Sequence, residues 1–116
     1  MPFSTKSGTI ENHMIVVTRL PTHRNDGSKV SRREFRAILN RVRELFSGFT
    51  LEGPYEGIWV DDDGTVFEDT SYKLEVVVTR KQVHQARELF IEFGKQLGQR
   101  AIYFEVREGG EIIDIE

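Results

Sequence analysis

The sequence predicts an α+β domain of the ferredoxin-like class, with the element order β-α-β-β-α-β. Two segments carry apolar residues at helical spacing, and each begins with a capping box. Runs rich in β-branched residues flank and separate these two segments. Right-handed crossovers then place both helices on one face of an antiparallel sheet, with the strands in the order fourth, first, third, second.

The first strand is predicted over residues 10–20. Its centre, Met14–Thr18, is a short β-branched apolar run that suits a strand buried on both faces. Pro21 ends the strand, and the loop that follows contains Asp26 and Gly27, a pair that supplies a positive φ.

The first helix is predicted to begin at the capping box formed by Ser31 and Glu34, whose side chains satisfy backbone amides of the first turn. Its apolar side chains fall on one helical face; they are Phe35, Ile38, Leu39, Val42, Leu45 and Phe46. Gly48 is predicted to stop the helix in a left-handed conformation.

A β-hairpin of unusual composition is predicted next. It contains the only tryptophan, Trp59, and a run of aspartates that closes on Gly64. Asp-Gly suits a tight turn, so we interpret Asp61–Gly64 as turn chemistry and not as a calcium loop, whose spacing it does not match. The returning strand, Tyr72–Val78, alternates apolar and polar positions.

The second helix is predicted to begin at a capping box formed by Thr79 and Gln82 and to end at Gly98. A strand is predicted over Ala101–Val106. Gly109 and Gly110 then form a hairpin turn into an extra C-terminal edge strand, residues 111–115.

The amino-acid composition is typical of one globular domain. We expect a flexible N-terminus at residues 1–8 and the domain at residues 9–116. The absence of cysteine excludes disulfides and thiolate chemistry. No apolar run approaches the roughly 18 residues that a membrane span requires, and the first residues do not resemble a signal peptide. We therefore expect a cytoplasmic protein without a membrane partner.

The charges are unevenly distributed along the chain. Residues 24–43 contain seven basic and two acidic residues, whereas residues 52–75 contain eight acidic residues and one basic residue. Three arginines of the first helix, Arg32, Arg33 and Arg36, are candidates for an anionic partner. The alternative is that both stretches are ordinary solvated surfaces.

Scattered positions from about Thr18 to Val106 resemble a family of small bacterial α+β domains of unknown function, many of them expected to be exported lipoproteins. The resemblance is carried by Ser31-x-x-Glu-Phe35, Phe46-Ser-Gly-Phe-Thr50, Gly57–Gly64, Ser71 with Lys73, Phe93-Gly94 and Leu97-Gly-Gln99. It implies a small α+β fold and no particular activity.

The sheet face opposite the helices is the predicted location of function. Strand alternation places five polar and aromatic side chains there; they are Trp59, Lys73, Glu75, Tyr103 and Glu105. This placement of Trp59 assumes that Ile58 and Val60 face the core. The cluster either binds a ligand, forms a subunit interface, shifts its own pKa values for proton transfer, or forms cross-strand ion pairs.

No complete catalytic set, metal site or cofactor motif is recognisable. The three histidines have no ligand partner at close spacing, and the ribonucleoprotein sequence signature of RNA-binding sheets is missing, so we expect no metal, no cofactor and no nucleic acid. Two hypotheses follow. The first is a non-catalytic domain that dimerises, or takes a small ligand, through the open sheet face. The alternative is a small dimeric ferredoxin-like enzyme, oxygenase-like or isomerase-like, with a pocket between sheet and helices.

Overall fold

A computed structural model describes residues 13–46, 48–110, 113 and 115 of the chain. The elements are, in order, β1 (His13–Pro21), α1 (Arg32–Phe46), β2 (Thr50–Val60), β3 (Val66–Thr79), a 3₁₀ turn (Arg80–Gln82), α2 (Val83–Gln96) and β4 (Glu105–Gly110). The predicted flexible N-terminus lies outside the described residues, as does most of the predicted C-terminal edge strand.

The four strands form one antiparallel sheet in the order β2-β3-β1-β4. This is the predicted order seen from the other edge, and the ferredoxin-like prediction is confirmed. Neither described helix has the length and apolar character that crossing a membrane requires.

The core lies between the helices and one face of the sheet. Alternate residues of β1 and β3 point to this face, and both helices bury their apolar stripes against them. The fully buried side chains of this core are Val16, Leu20, Val42, Leu74, Val76, Val78, Phe90, Phe93 and Leu97. The predicted alternation of Tyr72–Val78 is confirmed, and the sheet's other face is left open.

The helix ends have the predicted capping interactions, with one exception. The Glu34 amide donates to Ser31 Oγ at 3.1 Å, and the Ser31 amide donates to Glu34 Oε1 at 3.1 Å. Gly98, with a φ of 60°, closes α2 through its amide, which donates to the Lys95 carbonyl at 3.1 Å. The prediction for Gly48 was wrong, because α1 ends at Phe46 and Gly48 does not take a positive φ.

The last strand starts later than predicted and continues through both glycines. Residues His13 to Val17 of β1 pair with β4 as far as Gly110, so the predicted turn residues lie inside the strand. Beyond Val17 the pairing ends, since the buried Thr18 hydroxyl donates to the Tyr103 carbonyl at 2.6 Å. Residues 101–104 are therefore an extended connection tied to β1 by a side chain.

Candidate functional site

The far end of the β2–β3 hairpin extends past the part of the sheet that the helices cover. On the helix side of this end, Ile58 is 70% exposed and Val60 and Val66 are each 61% exposed. Ile58 and Val60 therefore lie on the helix side, as assumed, but outside the core, because neither of the described helices covers them. The result is an apolar strip on a projecting hairpin, which we call the hairpin strip (Ile58, Val60 and Val66).

The aspartate run forms the turn that the sequence predicted. The Gly64 amide donates to the Asp61 carbonyl at 2.9 Å, and Gly64 has a φ of 86°. The Asp61 and Asp63 carboxylates accept bonds from the amides of Asp62 and Thr65, at 2.8 and 2.9 Å. These carboxylates are turn acceptors.

A β-bulge places Trp59 on the open face. Glu52 pairs with Lys73 and Tyr55 pairs with Ser71, so β2 has one more residue than β3 over this interval. The extra residue reverses the alternation of β2 and turns Tyr55, Gly57 and Trp59 toward the open face. Trp59 stacks there on Phe67 with ring centroids 4.4 Å apart and planes 13° apart.

The open face carries a groove of about 590 Å³, lined by the far end of the hairpin, the end of β1 and the connection before β4. We call it the open-face groove. Two of the five predicted open-face residues, Trp59 and Tyr103, line it. Arg19 and Asp69, which sequence reasoning missed, line it as well. Its volume lies within the range of small-molecule sites, about 300–1,000 Å³.

Asp69 is the acidic group of this groove and is half-buried. Burial raises the pKa of its carboxyl above the ordinary value of 3.8, and a hydrogen bond from the Thr70 backbone and the nearby His23 oppose the rise. Its partner position across the hairpin is Gly57, which has no side chain to cover it. The carboxyl is thus partly desolvated yet accessible from the groove.

Arg19 is the basic group. Its guanidinium carbon lies 5.7 Å from the centroid of the Tyr55 ring, which is within the range of a cation–π contact. Its charge also acts on Tyr103, where it opposes the rise in the pKa of that phenol. Arg19 therefore acts on both tyrosines, and its side chain is exposed.

The other three predicted residues form a neighbouring network, the charged cluster (Lys73, Glu75, Glu105 and Arg107). Arg107 donates to Glu105 Oε2 at 2.7 Å and to Glu75 Oε2 at 2.9 Å, and Lys73 Nζ lies 3.7 Å from Glu75 Oε2. The cluster is absent from the lining of the open-face groove. Its acids and bases pair with one another, as in the predicted alternative of cross-strand ion pairs.

Tyr103 connects the charged cluster to the groove. Its hydroxyl donates to Glu105 Oε1 at 3.0 Å, and this bond raises the pKa of the tyrosine. Hydrogen bonds from Arg107 and then from Tyr103 hold the pKa of Glu105 below its ordinary value. The ionised form of Glu105 is therefore favoured, and its hydrogen bond fixes the orientation of the Tyr103 side chain.

The three arginines of α1 that were predicted to contact an anionic partner lie in the helical layer, away from the open-face groove. Arg32, Arg33 and Arg36 line a shallow depression of about 430 Å³ together with Ala37 and Asn40. All three are exposed. Within the part of the chain that the structure describes, no three or more metal-binding side chains come together.

No family model matches the chain. No curated protein matches it in sequence either.

Solved structures share its fold. Divalent ion tolerance protein CutA1 from Ehrlichia chaffeensis superposes with a TM-score of 0.62 at 13% identity, covering 91% of this chain and 89% of its own. A phage SAM lyase in complex with S-methyl-5′-thioadenosine gives 0.66 at 11% identity, covering 96% and 92%. The periplasmic divalent cation tolerance protein CutA from Archaeoglobus fulgidus gives 0.57 at 14% identity, covering 81% and 80%. These superpositions establish the ferredoxin-like fold of the chain. Because the sequence identities are 11–14%, they establish the fold alone.

Proposed function

We propose that this protein is a binding domain that takes a small molecule in the open-face groove. The proposal is carried by one observation: Trp59 on the hairpin and Tyr103 before β4 line the same groove of about 590 Å³. Ligand sites combine such apolar walls with a few polar groups that fix orientation, here Arg19 and Asp69. The space between sheet and helices is filled by core side chains, which argues against the pocket position of the enzyme hypothesis.

The test uses the fluorescence of Trp59, which is the only tryptophan and reports on the groove directly. S-methyl-5′-thioadenosine, which the structurally similar phage enzyme binds, is the first probe. We expect a saturable change in Trp59 emission and a loss of affinity of at least about tenfold in Tyr103→Ala, since ring stacking contributes about 1–3 kcal/mol.

The matched control for Tyr103→Ala is Phe49→Ala, which removes an exposed ring that does not line the groove. This control is expected to bind like the wild type. If a probe binds with equal affinity to Tyr103→Ala and to the wild type, it binds outside the open-face groove, and the proposal is wrong.

Self-association is the second part of the proposal, and the predicted dimer stays a prediction. It is supported by the hairpin strip, because exposed apolar strips on a projecting element mark interaction surfaces. We expect Ile58→Lys to shift the sedimentation coefficient of the protein toward that of the monomer. Ile113→Lys is the control, because Ile113 is also 70% exposed but lies outside the hairpin. Equal behaviour of both variants would contradict an interface at the hairpin.

An enzymatic role is the second candidate, favoured by one observation. Asp69 is a carboxyl whose raised pKa suits proton transfer, and it lines the same groove as Trp59. The phage SAM lyase supplies a substrate to try. We would incubate the protein with SAM and follow S-methyl-5′-thioadenosine by mass spectrometry. Turnover that is lost in Asp69→Asn supports this candidate, and a rate no higher than that without protein excludes it for SAM. The cytoplasmic location stays a prediction.

A further inference from the structure

The open-face groove contains charges of both signs that do not pair within the described part of the chain. Arg19 contacts the Tyr55 ring and pairs with no carboxylate among the described residues. Asp69 accepts a hydrogen bond from the Thr70 backbone and forms no ion pair with the part of the chain that the structure describes. The charged cluster beside the groove shows the opposite behaviour, since every member of it is paired.

The acidic end of the groove is favourable for a cationic group. Burial makes the ionised form of Asp69 costly, the Thr70 backbone and the nearby His23 offset that cost only in part, and a ligand cation would reduce it further. An ammonium or a similar cation therefore gains most at the Asp69 end.

The basic end is favourable for an anionic group. The guanidinium of Arg19 lies over the Tyr55 ring and is exposed, so its planar set of N–H donors is accessible. A carboxylate is bound in such a position by two parallel hydrogen bonds. No side chain of the described residues occupies that role.

The walls of the groove are favourable for a planar ring. Trp59 is backed by Phe67 in a stacked pair and remains 39% exposed. Tyr103 is 52% exposed and its hydroxyl is held by Glu105. Both rings have fixed orientations before any ligand arrives, which reduces the entropy cost of binding.

We infer that the open-face groove binds a zwitterionic small molecule that carries a planar ring, with its cationic group toward Asp69 and its anionic group toward Arg19. This inference rests on the proposed function and names the ligand class of the same site. An amino acid attached to a nucleoside and a free aromatic amino acid both have this chemistry. Both are small enough for the groove, whose volume is about 590 Å³.

The experiment compares four probes by isothermal titration calorimetry with the full chain. S-adenosylhomocysteine carries the zwitterion and the ring, and S-methyl-5′-thioadenosine carries the ring without the zwitterion. L-phenylalanine is a free aromatic amino acid, and L-alanine has the zwitterion without a ring. We expect one of the two complete probes to bind at least about tenfold more tightly than both incomplete ones, since one charge-assisted hydrogen bond contributes about 1.5–3 kcal/mol.

Charge-neutralising variants test the placement. Arg19→Gln and Asp69→Asn are each expected to lower the affinity for the tighter-binding complete probe about 10- to 100-fold. The affinity for S-methyl-5′-thioadenosine should be nearly unchanged in both variants. Arg33→Gln is the control, because Arg33 is an exposed arginine on α1. If S-methyl-5′-thioadenosine binds as tightly as S-adenosylhomocysteine, and both variants bind like the wild type, the ligand class is wrong but the groove remains a binding site. If none of the four probes changes the heat signal, the inference and the proposed function both fall.

Discussion

Phe90→Ala is expected to lower the free energy of unfolding by about 3–5 kcal/mol. Phe90 has no exposed surface and lies at the centre of the layer between α2 and the sheet. Its ring contacts Phe93 and Phe104, with ring centroids 6.2 and 5.9 Å apart. Truncation therefore removes buried apolar area and leaves a cavity that its rigid neighbours cannot fill. Urea unfolding followed by circular dichroism measures the loss.

The size of this effect is large compared with the total stability of a small domain, about 5–15 kcal/mol. Phe49→Ala is the matched control, because it removes the same side chain from a position that is 36% exposed. We expect the control to cost less than about 1 kcal/mol. A Phe90→Ala variant no less stable than the control would mean that the core does not lie between α2 and the sheet.

The sequence was sufficient for this part of the fold because local and tertiary signals agree there. The capping box at Ser31 fixes the start of α1, and the apolar stripe of α1 and the alternation of β3 specify the faces that are buried against each other. The strand order then followed from connection rules. The start of β4 was not predictable in this way, since it depends on where β1 stops pairing and on the bond from Thr18 to the Tyr103 carbonyl. A hydrogen bond between residues so far apart in sequence produces no periodic pattern in the sequence.

The candidate site was predicted only in part, for a similar reason. Alternation correctly placed Tyr103 and the charged cluster on the open face. It put Trp59 there too, with Ile58 and Val60 on the helix side, but periodicity could not show that the hairpin extends past the helices and leaves these two side chains exposed. Nor can the bulge that reverses β2 be counted from periodicity. Arg19 lies on a strand that was predicted from its apolar residues, and Asp69 precedes the predicted returning strand, so only the register of β1, β2 and β3 brings them to one groove.

The bulge in β2 is therefore the local feature on which the groove depends, and Gly53 is its most constrained residue. Gly53 has a φ of 125°, a conformation that residues with a side chain rarely adopt. A β-carbon added there would lie 3.1 Å from the Ser71 carbonyl oxygen and 3.2 Å from the Tyr55 amide nitrogen. Both are backbone atoms of the sheet, so they cannot move aside as a flexible side chain would.

We expect Gly53→Ala to lower the free energy of unfolding by about 1–3 kcal/mol, from backbone strain and the close contacts together. We also expect weaker binding of S-methyl-5′-thioadenosine, because relief of the strain moves Tyr55 and the strand that carries Trp59. Gly57→Ala is the control within β2, since no atom lies within 4 Å of an added β-carbon at that position. It should change stability by less than about 0.5 kcal/mol. If urea unfolding shows equal stability for the two variants, the bulge does not require glycine, and the orientation of Trp59 must be fixed instead by its stacking on Phe67.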